Sequence, residues 1–297
     1  LNARELAQGD LNTATWTRRN FLRVYNSQAL RPVERVFMQR HASELSGRVL
    51  ELGCGGGRLT GHLIDVGDAV YGIDVSSHMI EYCRRNYPRG DFRLADLRNL
   101  ISFDDESFDA VIAVCNVLDV LDDFERRGVL DQIRRLLVPG GLLIMSSHNR
   151  AHMKPTPSPM KLNGTSLPGL VQSALYMPRR VLNHRRLAPL EKNEPDYAIR
   201  NDETHGFALL HYYISARMQA RQLDEQGFEL VECLDLDGHG VDASEDAEGC
   251  SELHYVARRA DRMQRVRTRI TDEHRARPQF AGPQNTVPDA PERLKAS

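Results

Sequence analysis

Val49-Leu50-Glu51-Leu52-Gly53-Cys54-Gly55-Gly56-Gly57-Arg58-Leu59 is the stretch that decides the fold. A short apolar run, the pattern of a buried strand, enters a glycine-dense turn and then the start of a helix. Glycine permits the tight turn and lets a ligand lie close to the backbone. The dinucleotide fingerprint GxGxxG needs a sixth-position glycine, but Arg58 stands there and works against a pyrophosphate seat. The Gly-Lys-Ser/Thr ending of a P-loop is also missing. What remains is Glu51-x-Gly53-x-Gly55-x-Gly57.

Outward from this turn the chain alternates apolar runs with amphipathic stretches. The runs are Val49–Leu52, Ala69–Ile73, Phe92–Leu94, Ala110–Val114 and Leu142–Met145, and Phe124–Leu137 reads as a helix stopped by Pro139-Gly140-Gly141. Such alternation predicts an α/β fold with a doubly wound, mostly parallel sheet covered on both faces. Residues 1–45 read as a helical segment, with Phe21, Val24, Tyr25, Val33, Val36 and Phe37 at helical intervals, and 46–150 as the core. Residues 151–210 carry seven prolines from Pro155 to Pro195 and are too long for a plain connection, so an inserted lid with short helices is expected there. Residues 211–260 supply the last helix, capped by Ser215 and closed at Gly227, and the strands Phe228–Val231 and Leu253–Val256. Residues 261–297 form a polar, Arg- and Pro-rich stretch, expected as a frayed helix and a mobile tail.

Composition removes several classes of function. The 297 residues carry 39 Lys+Arg against 41 Asp+Glu, a net charge of −2 that lacks the long-range pull of a dedicated nucleic-acid binder. Mean hydropathy is −0.47, and no apolar run nears a membrane span. Leu1 to Arg19 shows no secretory apolar stretch, so a cytoplasmic protein is expected. Cys54, Cys83, Cys115, Cys233 and Cys250 are scattered without a CxxC pair, which argues against a disulfide framework and a zinc site.

Asp74 ends the second run about twenty residues past the glycines, where a carboxylate can take a ribose diol, and Asp96 ends the third. With Tyr71-Gly72-Ile73-Asp74-Val75, Ala95-Asp96-Leu97, Phe108-Asp109-Ala110-Val111-Ile112 and Leu137-Val138-Pro139-Gly140-Gly141, the sequence resembles the class I S-adenosylmethionine-dependent methyltransferases. The resemblance covers Val49–Ser147 and Phe228–Ala257. It implies a Rossmann-like seven-stranded sheet with an insertion after the fifth strand, and S-adenosylmethionine as cofactor. By that resemblance Gly53, Gly55 and Gly57 pass beneath the methionine and ribose, and Asp74 holds the ribose diol. Met79 packs on the adenine, Asp96 accepts from its amino group, and the Leu97 amide faces the ring. Cys115 and Asn116 touch the methionine end, while Tyr25, Glu51, Cys54 and Val75 complete the candidate cofactor set.

The acceptor is less legible. His148, past the fifth run, falls at the carboxyl end of a strand, where an imidazole suits a general base or a plain structural cap. His205 and His211 in and after the proline-rich zone are its substitutes, and His211-Tyr212-Tyr213 is placed to close a pocket or to pack as core. Arg179, Arg180, Arg185 and Arg186 read chiefly as a solvated face. The expected function is methyl transfer to oxygen or nitrogen of a small polar acceptor, a saccharide or natural-product intermediate. An rRNA or tRNA methyltransferase using the Arg-rich tail, or a catalytically silent binding protein of this fold, stand as alternatives.

Overall fold

The apolar runs become the parallel centre of one sheet in the computed structural model, which describes residues 7–17, 29–162 and 164–260. Its strands are β1 (Arg48–Leu52), β2 (Ala69–Asp74), β3 (Asp91–Leu94), β4 (Phe108–Ala113), β5 (Leu137–Asn149), β6 (Lys192–Asn193), β7 (Tyr197–Arg200), β8 (His211–Ile214), β9 (Phe228–Leu234) and β10 (Glu252–Arg259). β3-β2-β1-β4-β5 run parallel, then β10 lies antiparallel along β5 and β9 antiparallel along β10. Helices α1 (Gln8–Trp16), α2 (Pro32–Arg40), α3 (Ala42–Leu45), α4 (Arg58–Leu63), α5 (Ser77–Asn86), α6 (Asp123–Leu136), α7 (Leu167–Leu187) and α8 (Ala216–Glu225) surround it.

The two-residue period of the strands divides the core into two layers. Leu50, Val111, Leu143 and Tyr255 face α6 and α8 through Leu130, Ile133 and Leu223. Their neighbours Val49, Ile112, Ile144 and Val256 face α2, α4 and α5 through Phe37, Leu63 and Ile80. α6 starts in a capping box in which the Glu125 amide donates to Asp122 at 2.9 Å and the Asp122 amide donates to Glu125 at 3.2 Å. Ser215 caps α8, accepting from the Met218 amide, and Gly227 follows it with φ +88°.

Three expectations change. The sheet has ten strands, because the segment between β5 and α8 adds β6, β7 and β8 to the expected seven. β8 pairs in parallel with the last two residues of β5, His148 with Tyr213 and Asn149 with Ile214, so the added part runs to 214 instead of 210. Beside short 3-10 helices at Arg150–His152, Ala188–Leu190 and Thr204–Gly206, this segment holds one long α-helix of 21 residues, and Pro178 sits inside it. Only Arg180 and Leu187 of that helix are buried. The helix stop expected at Pro139-Gly140-Gly141 is found: α6 ends at Leu136 and passes directly into β5, where Val138–Gly141 bulge out between the pairs Phe108–Leu137 and Ala110–Leu142.

α1 ties the added part to the core. Its Asn12 Nδ2 donates to the carbonyls of Val120 and Leu210, both at 2.7 Å, while Oδ1 accepts from the Leu210 amide at 3.0 Å. Residues 1–6, 18–28 and 261–297, with Phe21, Val24, Tyr25 and the expected tail, lie outside the described residues. Among the described residues no helix is long and apolar enough to cross a membrane.

Two substitutions test this packing. At Gly57, φ is +77° and a Cβ would come within 2.6 Å of the Tyr87 ring, so Gly57→Ala should cost on the order of 1–3 kcal/mol. A urea midpoint equal to that of the parent would contradict the strain. Glu51 on β1 is buried, accepts a hydrogen bond from the Thr60 hydroxyl, and is pushed by burial up to about 7. A carboxyl raised in the fold stabilises below its unfolded pKa and loses that contribution as pH rises through 7. Glu51→Gln should therefore gain stability relative to the parent between about pH 5 and about pH 8. An equal difference at both pH values would contradict the burial of the ionisable form.

Candidate active site

A cavity of about 350 Å3 opens where the parallel strands end, within the size range of small-molecule sites. Its floor is the glycine turn. Gly53 and Gly55 have φ of +65° and +52°, which favours glycine at both. A Cβ on Gly53 would come within 2.2 Å of Val117 Cγ2, whereas a Cβ on Gly55 would meet nothing within 4 Å. Gly55 thus presents bare backbone to the cavity. Gly57 is a correction: it does not line the cavity, because it precedes α4 and its α-carbon faces Tyr87.

Asp74 ends β2 beside this floor. Its Oδ2 accepts from the Gly55 amide at 3.0 Å and its Oδ1 from the Ser76 amide at 2.8 Å. Each oxygen keeps a lone pair for a further donor. Burial raises the carboxyl above its ordinary value although these amides pull it down. Val75, Cys54 and Glu51 line the same wall, and Met79 enters from the first turn of α5. Asp96 and Leu97 line the opposite end. Asp96 is gripped on both oxygens by Arg98, whose Nη2 donates at 2.7 Å, so any further donor shares that carboxylate. Arg98 also donates to Glu125 and Asp10, both at 2.8 Å, and so fixes the wall to α6 and α1.

Just past β4 stand two consecutive non-glycine residues with left-handed backbone, Cys115 at φ +58° and Asn116 at φ +57°. Strain of this kind persists only where the surroundings enforce it. Asn116 is enforced by β5 and β10. Its amide donates to Ser146 Oγ at 2.8 Å, Ser146 Oγ donates back to Asn116 Oδ1 at 2.7 Å, and Nδ2 donates to Glu252 at 3.0 Å. Cys115 lies 3.1 Å from Arg58 Nη2, and Arg58 in turn pairs with the fully buried Glu34. Burial holds the Cys115 thiol above its usual value.

The three candidate histidines share one end of the cavity. His148 Nδ1 lies 2.7 Å from Asp119 Oδ2, which also accepts the His148 amide at 2.7 Å. His211 Nδ1 lies 2.7 Å from Asp202 Oδ2, and the two imidazole centroids are 5.1 Å apart. Tyr213 packs on His148 at 4.9 Å and donates its hydroxyl to Asp202 at 2.8 Å. Burial lowers the His148 pKa, but the Asp119 carboxylate outweighs it and leaves the imidazole above its ordinary value. Burial, with His211 nearby, takes His205 the other way, down to about 4. His205 also has φ +53° and meets Trp16 edge-on at 5.0 Å.

Of the candidate residues, Tyr25 lies outside the described residues. Arg180 turns away from the cavity, donating to the Lys161 carbonyl at 2.8 Å and stacking near Phe207. Sequence reasoning missed Trp16, Arg31, Arg98, Thr204 and Glu252, all lining residues. It also missed Arg126, although its spacing to Leu130 and Ile133 put a charge on the apolar stripe of α6. That anomaly was a readable signal, whereas nothing local marks the others.

Residues 49–141 match the family described as "Methyltransferase domain". The ubiquinone biosynthesis O-methyltransferase of Xylella fastidiosa (strain M23) is 32% identical over 126 residues, 41% of this chain and 50% of that protein. A probable S-adenosylmethionine-dependent methyltransferase of Mycolicibacterium smegmatis is 33% identical over 147 residues, 47% of this chain and 56% of that protein. The chain thus spans about half the length of the curated relatives it matches. The solved 1,6-didemethyltoxoflavin-N1-methyltransferase of Burkholderia thailandensis, with 1,6-didemethyltoxoflavin and S-adenosylhomocysteine bound, has a TM-score of 0.54. It is 15% identical, over 85% of this chain and 88% of that one, and so shows the shared fold. Residues 49–141 thus match a methyltransferase domain, and the glycine turn and the sheet order share the fold of a solved S-adenosylmethionine-dependent methyltransferase.

Proposed function

We propose that this chain transfers a methyl group from S-adenosylmethionine to an oxygen or nitrogen of a small polar acceptor, with a hydroxyl as the favoured acceptor. The residues suit the cofactor. Gly55 leaves an open cradle at the backbone, and Asp74 keeps one lone pair on each oxygen for a ribose diol. Met79 and Leu97 offer apolar faces for the adenine, and Asp96 shares its carboxylate with Arg98. The observation that carries the acceptor side is the carboxylate-paired His148 on the wall shared with Cys115 and Asn116.

When bound, the cofactor supplies an electrophilic methyl on a sulfonium that leaves without acid assistance. The chain's task is alignment and proton removal. His211 is buried and His148 and Trp16 are half-buried, which limits water at the acceptor. As the acceptor oxygen bonds to the methyl carbon, its proton passes to His148 Nε2. An amine arriving unprotonated would need positioning alone. The 150–214 segment contributes Thr204, His205 and His211 to the cavity, while α7 contributes nothing. The closing element is therefore the turn at 204–206, with α1 opposite it, and α7 stays outside the pocket. A small saccharide or natural-product intermediate fits this reading, as does a cytoplasmic setting.

Calorimetry with S-adenosylhomocysteine tests the cofactor assignment. One site is expected, and Asp74→Ala should weaken it by roughly 1.5–3 kcal/mol, the scale of a charge-assisted hydrogen bond. An unchanged affinity in the variant would move the ribose elsewhere. Hydrogen exchange tests the closing element. S-adenosylhomocysteine should slow exchange at 8–16, 53–57 and 204–206 and leave 167–187 unchanged. Protection centred on 167–187 would make α7 the lid instead.

A further inference from the structure

We propose that Asp119 is a positioning residue of this site, holding His148 through Nδ1 so that Nε2 faces the acceptor without a proton. The inference rests on the methyl-transfer reading above, but its geometry is independent of any ligand. Asp119 sits on the 3-10 turn Val117–Val120 that follows β4, fully buried. Its Oδ1 accepts from Arg126 Nη1 and from Ser147 Oγ, both at 2.7 Å. Its Oδ2 accepts the amide of His148 at 2.7 Å, with Nδ1 of the same residue also at 2.7 Å.

The opposite side of the ring fixes the tautomer. Glu252 Oε2, a carboxylate oxygen that accepts, lies 3.0 Å from Asn116 Nδ2 and so identifies the nitrogen of that amide, which also faces His148, while Oδ1 accepts from Ser146 Oγ. Nδ2 lies 3.3 Å from His148 Nε2. An amide nitrogen can only donate, so Nε2 must accept, and the ring proton belongs on Nδ1, facing Asp119. An incoming hydroxyl can replace this long contact at Nε2. The acceptor hydroxyl then meets a lone pair, and the imidazolium formed by proton transfer is stabilised by the carboxylate behind it.

Arg126 keeps Asp119 in this role. It is fully buried, and besides Asp119 it donates to Gln219 at 2.7 Å, Gln222 at 3.1 Å and Ser147 at 3.3 Å. Burial pushes the Asp119 carboxyl up, but Arg126 and His148 outweigh it and hold it below the usual range. The other charged or titratable groups facing His148 are His211, Tyr213 and Asp202 on the β8 side and Glu252 on β10. Asp202 is already committed to His211 and Tyr213, and Glu252 to Arg31 and Asn116. Asp119 is the carboxylate bonded to the His148 ring.

Nitrogen NMR of the imidazoles in the ligand-free 297-residue chain reads this directly. In the parent, neutral His148 should carry its proton on Nδ1 and titrate above the ordinary ~6.5. In Asp119→Asn the side-chain amide can donate to Nδ1, so the proton should move to Nε2 and the midpoint should fall by about 1 unit or more. Asp119→Glu, which restores a carboxylate, should recover part of the midpoint. Parent His148 protonated on Nε2 in its neutral form, or titrating below ~6.5, would overturn the proposal even if neither variant folds. So would a folded Asp119→Asn with tautomer and midpoint unchanged. Calorimetry with S-adenosylhomocysteine on the same samples separates the two readings. Intact binding with the wrong tautomer refutes the positioning role alone, whereas absent binding in the parent refutes the cofactor site.

Discussion

Asp119 and Arg126 are both fully buried with 2.7 Å between them, and the acceptor end of the cavity hangs on how that pair is satisfied. Two charges withdrawn from water cost several kcal/mol each, and their attraction offsets this only when the remaining donors and acceptors are matched. Here they are met by three elements. Ser147 and His148 come from β5, Gln219 and Gln222 from α8, and the Tyr212 ring of β8 lies 4.8 Å from the guanidinium. Elements distant in sequence therefore meet at one carboxylate. Removing either charge strands the other, a loss on the scale of about 3–5 kcal/mol.

The same pair explains why the added strands sit where they do. β8 joins the last two residues of β5, immediately beside the histidine that Asp119 holds. Tyr212 donates its hydroxyl to Asp123 at 2.6 Å, next to the start of α6, and its ring covers Arg126. The 150–214 segment thus buries the charge pair as it brings His211 and Asp202 to face His148. α7 shares little of this packing, burying only Arg180 and Leu187, which is why it can lie beyond the cavity without loss to the site.

Much of the cofactor half was legible because it is local. The glycines after β1 and the carboxylates after β2 and β3 follow from strand ends in a parallel sheet, where ligands gather. Alternation along Val49-Leu50 and Ile112-Val111 gave the two core layers for the same reason, since a strand's period is fixed. The acceptor half was less legible because it depends on pairings across long stretches of chain. Asp119 was visible as a residue but not as the partner of His148, 29 positions away. Arg98 gave no sign that it would claim Asp96. The spacing of the glycines gave no sign that Gly57, at the cap just before α4, would face Tyr87 and not the cavity. The proline-rich zone suggested broken helices, yet Pro168 falls in the first turn of α7, where its missing N–H costs nothing, and Pro178 is accommodated within the helix.

Both halves converge on a single geometric claim, that the glycine turn and Asp74 orient a cofactor so that its reactive end meets the imidazole held by Asp119. A crystal structure with S-adenosylhomocysteine tests this most directly. The expected result has the ribose hydroxyls on Asp74, the adenine between Met79 and Leu97, and the sulfur on the side of the cavity that holds His148 Nε2. A ligand seated with its ribose away from Asp74, or with its sulfur turned toward Arg98, would contradict it.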